Sequence, residues 1–117
     1  MNEHHRNIIG KAYQSYNNRD INSILLFMHQ NVSWPNGWEG GNIEGHAELR
    51  DYWTRQWKKI NPSVKPLSIK ENSKGQVEVM VHQISKDLEG KIITDGIVKH
   101  IYMFEEGLIK RMDIHKP

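Results

Sequence analysis

The sequence predicts a single α+β domain, with about three helices in the first half packed on a curved antiparallel sheet formed by the second half. Apolar residues recur at helical spacing up to about residue 60, and they alternate with polar residues from about residue 65. The chain has 117 residues, which is long enough for one hydrophobic core, and no internal repeat divides it. We therefore expect residues 1–117 to form one domain.

Three helices explain the apolar stripes of the first half. Residues 3–18 form the first, with a stripe of Ile9, Ala12, Tyr13 and Tyr16. Asp20 is a good N-cap for a short second helix, whose buried side is Ile21, Ile24, Leu25 and Met28. Residues 47–60 form the third, with a stripe of Leu49, Trp53, Trp57 and Ile60. Between the last two helices we expect a short strand at 32–34 and a glycine-rich loop at 36–45.

The second half predicts strands at residues 67–70, 76–85, 91–104 and 108–115. The last two turns, at 88–90 and 105–107, are interpreted as three-residue hairpin loops that end in glycine. A two-residue Glu-Gly turn would place glutamate at a positive φ, which glutamate disfavours. This choice of loops sets Glu78 opposite His100, and His100 opposite Met112.

This register divides the sheet into two largely apolar faces. The face expected to lie under the helices, and to line a pocket, is Met80, His82, Ile84, Val98, His100, Tyr102, Phe104, Leu108, Met112 and Ile114. The other face is Val77, Val79, Val81, Ile97, Ile101, Met103 and Ile109, with Lys99 opposite Asp113. Because two apolar faces need two covers, we expect a homodimer through the second face.

Composition excludes several classes of function. The chain has no cysteine, so a disulfide framework and a thiol nucleophile are excluded. The net charge is +2 with interspersed signs, which predicts no nucleic-acid partner. The apolar runs are too short for a membrane span, and the polar N-terminus favours a cytoplasmic protein. No glycine-rich phosphate loop is present, and we expect no cofactor.

Several segments together resemble the SnoaL-like branch of the NTF2-like superfamily. They are Asn18-Arg19-Asp20-Ile21, Val32-Ser33-Trp34-Pro35, Tyr52-Trp53-x-x-Gln56-Trp57, Asp95-Gly96-x-Val98-x-His100-x-Tyr102 and Gly107-Leu108-Ile109-x-Arg111-Met112-Asp113. The resemblance implies a cone-shaped fold with a pocket, and commonly a homodimer through the sheet, but not one chemistry. In related ketosteroid isomerases the base, the helix-one tyrosine and the buried acid would fall at Trp34, near Ala12 and at His100. Because none of these side chains is kept, that chemistry is rejected.

Polar side chains on the predicted pocket face form the candidate catalytic group. His100 would be the acid/base, Glu78 beside it would raise its basicity, and Tyr102 or His82 would polarise a ligand oxygen. The expected ligand-binding residues are Tyr13, Tyr16, Trp34, Trp38, Trp53, Trp57, Met80, Val98 and Met112. No metal site is expected, because Glu78 and His82 lie about 13 Å apart along one strand.

Three functions remain open from the sequence. The first is a cofactor-independent enzyme, such as an isomerase, cyclase or hydrolase, acting on a small hydrophobic carbonyl compound. The second is a non-catalytic module that binds a small hydrophobic ligand, with Trp34 lining or plugging the cavity. The third is an interaction protein that uses the loop carrying Trp38.

Overall fold

The computed structural model describes residues 2–37 and 39–117, and places the helices against a six-stranded sheet. The elements are α1 (Glu3–Asn17), α2 (Ile21–Leu26), β1 (Met28–Pro35), β2 (Asn42–Glu44), α3 (Gly45–Trp57), β3 (Ile60–Glu71), β4 (Val77–Asp87), β5 (Ile92–Glu105) and β6 (Leu108–His115). The strand order is β2-β1-β6-β5-β4-β3, antiparallel except for the parallel β1–β6 pair. The α+β prediction is confirmed. None of the described helices is long and apolar enough to cross a bilayer.

Local sequence signals explain where the helices begin. The side chain of Asn2 accepts hydrogen bonds from the first backbone N–H groups of α1, and Asp20 caps α2 as expected. The second helix ends earlier than predicted, so that Met28 begins β1. The predicted loop at 36–45 contains the short strand β2, and β3 is much longer than residues 67–70. Proline is tolerated in β3 because β3 is an edge strand.

The structure confirms the predicted loop of the first hairpin turn and contradicts that of the second. The first is the predicted three-residue loop, since the Asp87 N–H donates to the Lys91 carbonyl (2.8 Å) and Gly90 has a φ of 92°. The prediction for the second is wrong, because Glu105 pairs directly with Leu108. This turn has two central residues, Glu106 at φ 55° and Gly107 at φ 78°, which is the geometry of a type I′ hairpin.

A bulge in β5 changes the predicted faces of the sheet. Lys86 pairs with Ile92 but Ser85 pairs with Thr94, so Ile93 is an extra residue on β5. Beyond it every β4–β5 pair is shifted by one, which puts Val79 opposite His100 and Glu78 opposite Ile101. Because side chains alternate along a strand, this shift exchanges the two faces of β4.

This exchange of faces determines which residues of β4 lie in the core. Val77, Val79 and Val81 of β4 are fully buried under the helices, whereas the sequence placed them on a dimer face. Ile109 is fully buried too, because it pairs with Phe104 before a second irregularity in β6. The predicted dimer face is therefore wrong for these four residues. Burying Val77, Val79 and Val81 favours this register by about 1.5–3 kcal/mol for each side chain, whereas the predicted register would bury Glu78 and His82.

The other face of the sheet points away from the helices. It carries an outer apolar patch, defined here as Met80, Ile97, Ile101 and Met103. Ile97 is 46% exposed and Met103 is 40% exposed. The predicted Lys99–Asp113 pair is also wrong, because Lys99 pairs with His115 across the strands and Asp113 binds Arg111 (3.0 Å).

Candidate functional site

A partly open cavity of about 130 Å³ lies between the helices and the inner face of the sheet. Its described lining contains aromatic, aliphatic and neutral polar side chains and no Asp, Glu, Lys or Arg. The lining residues are Ala12, Tyr13, Tyr16, Ile24, Met28, Trp34, Pro35, Gly37, Tyr52, Trp53, Gln56, Val64, Gln83, His100, Tyr102, Met112 and Ile114. An apolar cavity of about 150 Å³ is known to bind benzene, so a ring-sized ligand fits the available space.

Three buried polar side chains in this lining form one hydrogen-bonded chain. The Tyr102 hydroxyl donates to the Tyr13 oxygen (2.8 Å), and the Tyr13 hydroxyl lies 2.7 Å from Nδ1 of His100. A phenol has one hydrogen, so Tyr13, which accepts from Tyr102, donates its own hydrogen to Nδ1. A neutral imidazole that accepts at Nδ1 carries its proton on Nε2. We find no partner for Nε2 among residues 2–37 and 39–117.

Burial determines the charge state of this chain. It lowers the pKa of His100 from 6.5 to about 4, because the imidazolium form loses hydration inside the protein. Burial also raises the pKa of Tyr13 and of Tyr102 well above the ordinary value, because the phenolate form loses hydration inside the protein. All three groups are therefore neutral at pH 7. His100 is a hydrogen-bond donor through Nε2 and a poor base.

The aromatic rings of Tyr16, Trp34 and Trp53 form a second wall of the cavity, and Trp57 packs behind them. The Trp34 ring meets the Trp53 ring edge-on, with centroids 5.5 Å apart at 81°. Trp53 in turn stacks on Trp57 at 6.1 Å and 11°. Tyr16 packs edge-on against both Trp53 and Trp57. Trp34 therefore lines the cavity without filling it, and the wall offers flat apolar surface to a planar molecule.

A second set of hydrogen bonds joins the helices to the loop after β1. The Tyr16 hydroxyl donates to Gln56 Oε1 (3.2 Å), and Gln56 Nε2 donates to the Tyr52 oxygen (3.5 Å). The same Tyr52 oxygen accepts from the Gly37 N–H (3.3 Å). Burial raises the pKa of Tyr16 to about 12, so this hydroxyl is also neutral. These bonds position the polar groups of α3 at the cavity wall.

The structure does not bring together all of the predicted catalytic residues. Glu78 lies on the outer face, where it accepts from Asn72 (3.0 Å) and approaches Lys99 (3.7 Å). The hydrogen bond from Asn72 and the nearby lysines lower the pKa of Glu78. His82 lies on the same face and contacts Asp95 at 2.6 Å. The predicted Glu78–His100 pair and the pocket position of His82 are therefore wrong, and the bulge at Ile93 is the cause.

Only some of the predicted ligand-binding residues line the cavity. Tyr13, Tyr16, Trp34, Trp53 and Met112 lie in the cavity lining. Met80 does not, since it belongs to the outer apolar patch. Val98 and Trp57 pack against the core without lining the cavity. The prediction for Trp38 falls outside the described residues.

Sequence reasoning missed several lining residues. Tyr52 and Gln56 follow one another at helical spacing beside Trp53, and that spacing was a usable signal. Gln83 reaches the cavity only because of the β5 bulge, which the sequence does not reveal. The resemblance places the helix-one tyrosine position of ketosteroid isomerases near Ala12, which has no hydroxyl. Tyr13, one residue further along, has the hydroxyl that contacts His100.

A cluster of metal-binding side chains lies at the β5–β6 turn, away from the cavity. Nε2 of the buried His29 lies 3.1 Å from Glu105 Oε2 and 3.5 Å from Glu106 Oε1. However, Nδ1 accepts the Asn31 N–H (3.0 Å), so the ring proton is on Nε2. A metal-bound histidine has the opposite arrangement, in which the second nitrogen donates. The cluster is better described as an N–H donor that holds two carboxylates of the turn.

Comparison with solved structures identifies the fold. TerC, co-crystallised with polyporic acid, matches with a TM-score of 0.84 at 21% identity, over 97% of this chain and 92% of the other. An NTF2-like protein of unknown function from Burkholderia pseudomallei matches with a TM-score of 0.84 at 18% identity, over 100% and 92%. The chain has the NTF2-like fold.

A third solved structure of similar fold is also a complex with a small molecule. Rv0760c from Mycobacterium tuberculosis, in complex with estradiol-17β-hemisuccinate, matches with a TM-score of 0.80 at 13% identity, over 94% and 91%. No protein-family model matches the sequence, and no curated protein matches it. At these identities the comparisons define the fold, and function must be argued from the cavity.

Proposed function

We propose that this protein binds a small, mostly apolar molecule in the cone of the NTF2-like fold, through a hydrogen bond from Nε2 of His100. The chain from Tyr102 through Tyr13 to His100 supports this proposal most directly, because it keeps one N–H donor available in an uncharged aromatic cavity. Two proteins of similar fold, TerC and Rv0760c, have structures with small molecules. The ligand of this chain would be smaller than a steroid, given a cavity of about 130 Å³.

Calorimetric titration with acetophenone, a neutral ring with one carbonyl oxygen, tests this function. We expect saturable binding that weakens roughly 3- to 10-fold in His100→Ala, because a net hydrogen bond contributes about 0.5–1.5 kcal/mol. His82→Ala is the matched control, since His82 also has one side-chain partner but lies on the outer face. Absence of saturable binding, or an equal loss in His82→Ala, would count against the proposal.

A second candidate function is a cofactor-independent reaction in which the same donor polarises a ligand carbonyl. The pair of phenols behind His100 favours it, because hydrogen-bonded chains strengthen the terminal donor. The described lining contains no carboxylate base, so the ligand or water would supply that role. Exchange of α-hydrogens of cyclohexanone in D₂O, followed by NMR, tests this function. A rate equal to that of buffer, or one unchanged in His100→Ala, would reject catalysis and leave binding.

We also propose that a second copy of the chain covers the outer apolar patch. The residues around the patch carry both charge signs, including Lys99 with Glu78, and such a surface can be complementary to itself across a two-fold axis. Sedimentation at micromolar concentration should show a dimer that Met103→Glu converts to a monomer. Leu26→Glu is the control, because Leu26 is an exposed leucine on α2. A monomeric parent protein would refute this interface.

A further inference from the structure

The described part of the cavity lining contains no charged group that could neutralise an ionised ligand. Its polar lining consists of phenol hydroxyls, the imidazole of His100, the amides of Gln56 and Gln83, and the indole N–H groups of Trp34 and Trp53. The guanidinium of Arg19 is close to the aromatic wall, but it lies over the Trp57 ring at 5.1 Å and donates to the Tyr16 carbonyl (3.0 Å). The guanidinium also lies 5.7 Å from the centroid of the Tyr16 ring, which borders the cavity, but Arg19 itself is not among the lining residues.

His100 cannot supply the missing positive charge near neutral pH. Its Nδ1 accepts from Tyr13, and a second ring proton would oppose that bond. Burial also lowers the pKa of His100 to about 4. Each neutral donor contributes about 1.5–3 kcal/mol to a charged acceptor, whereas moving an unpaired anion out of water costs on the order of tens of kcal/mol. A few neutral donors therefore do not replace a positive charge.

We propose that the cavity selects ligands by charge state, and accepts the neutral form of a ring-sized ketone, ether, nitro compound or phenol while excluding the ionised form. This inference rests on the proposed binding function. It adds a ligand class to that function, since carboxylates and phenolates of the same shape are predicted to be rejected. It also predicts that a weakly acidic ligand leaves the cavity as the ligand itself ionises.

The test compares 4-nitrophenol, which ionises near neutral pH, with 4-nitroanisole, which does not ionise. Their dissociation constants are measured by calorimetry between pH 6 and 9, a range in which His100 stays neutral. We expect the constant for 4-nitroanisole to stay level. The apparent constant for 4-nitrophenol should rise about tenfold per pH unit once the phenol ionises, because only the neutral form binds. The phenolate absorption gives an independent measure of the bound form.

Two variants separate charge from shape. Gln83→Lys places a cation at the cavity wall and should restore binding of the nitrophenolate. Leu26→Lys is the matched control, because Leu26 is exposed on α2, outside both the cavity lining and the outer apolar patch, and its replacement should change neither dissociation constant. An unchanged preference in Gln83→Lys would contradict the argument from charge.

The outcomes distinguish this inference from the function on which it rests. Nitrophenolate that binds as tightly as nitrophenol, while 4-nitroanisole also binds, would overturn the charge selection and leave the binding function. Failure of 4-nitroanisole and acetophenone to bind at any pH would overturn the binding function, and the charge selection with it.

Discussion

Replacing Tyr13 with phenylalanine removes one hydroxyl that makes two buried hydrogen bonds. It leaves Nδ1 of His100 without a donor and the Tyr102 hydroxyl without an acceptor. Each unsatisfied buried group costs about 1–3 kcal/mol. Water entering from the adjoining cavity relieves part of this cost, so we expect Tyr13→Phe to lower the free energy of unfolding by about 2–4 kcal/mol. The fold should be retained, since the ring still fills its place in the core.

The matched variant is Tyr102→Phe, which removes only the first donor of the chain. The Tyr13–His100 hydrogen bond survives, and only one lone pair of Tyr13 loses a partner. We expect a loss of about 0.5–1.5 kcal/mol. The asymmetry between the two variants follows from the direction of donation along the chain.

Urea unfolding, followed by circular dichroism, measures both losses provided that the m-values agree. Nitrogen-15 NMR gives an independent readout, because wild-type His100 should be the neutral Nε2–H tautomer. If Tyr102→Phe costs as much as Tyr13→Phe, or if the proton is found on Nδ1, the chain runs in the opposite direction. In that case Nε2 would be an acceptor, and the proposed role of His100 in the cavity would fail.

Two further predictions concern stability. Because burial lowers the pKa of His100 from 6.5 to about 4, the unfolded chain binds more protons between these pH values, and the unfolding free energy should fall by roughly 3 kcal/mol as the pH drops through them. His100→Asn should flatten this slope in urea titrations at several pH values, and the exposed His115→Asn should not. Glu106→Asn should raise the unfolding free energy by about 0.5–1 kcal/mol in thermal unfolding, because asparagine tolerates the positive φ of 55° better than glutamate. The lost contact of the exposed Glu106 carboxylate with His29 is the longer of two, and His29 keeps its 3.1 Å contact with Glu105. A similar gain in Glu89→Asn, where φ is not positive, would refute that reason.

Local signals predicted most of the secondary structure. The Asp20 cap and the stripe on α1 depend only on neighbours within a few residues, and both were visible in the sequence. The prediction for the second hairpin failed because a positive φ at Glu106 strains only one residue. That strain is offset in this turn, because Glu105 and Leu108 pair directly and the buried His29 donates to the adjacent carboxylates.

The candidate site was only partly predictable for a related reason. Tyr102 and His100 were assigned to one face correctly, because they lie on the same strand beyond the bulge. Partners that come from another element were missed or misplaced. Tyr13 approaches from α1, 87 residues away in sequence, and Glu78 was moved to the opposite face by one extra residue in β5.

The sequence by itself determined the α+β class, the number of helices, the apolar positions of the strands and the absence of a thiol. These properties depend on composition and on short-range periodicity. Only the tertiary structure decided which apolar face became the core, where the bulges lie, and which side chains meet at Nδ1 of His100. A bulge shifts the pairing of a whole strand and introduces one local irregularity in the hydrogen bonding. The burial of Val77, Val79 and Val81 offsets the free energy of that irregularity only after the strands and helices have assembled.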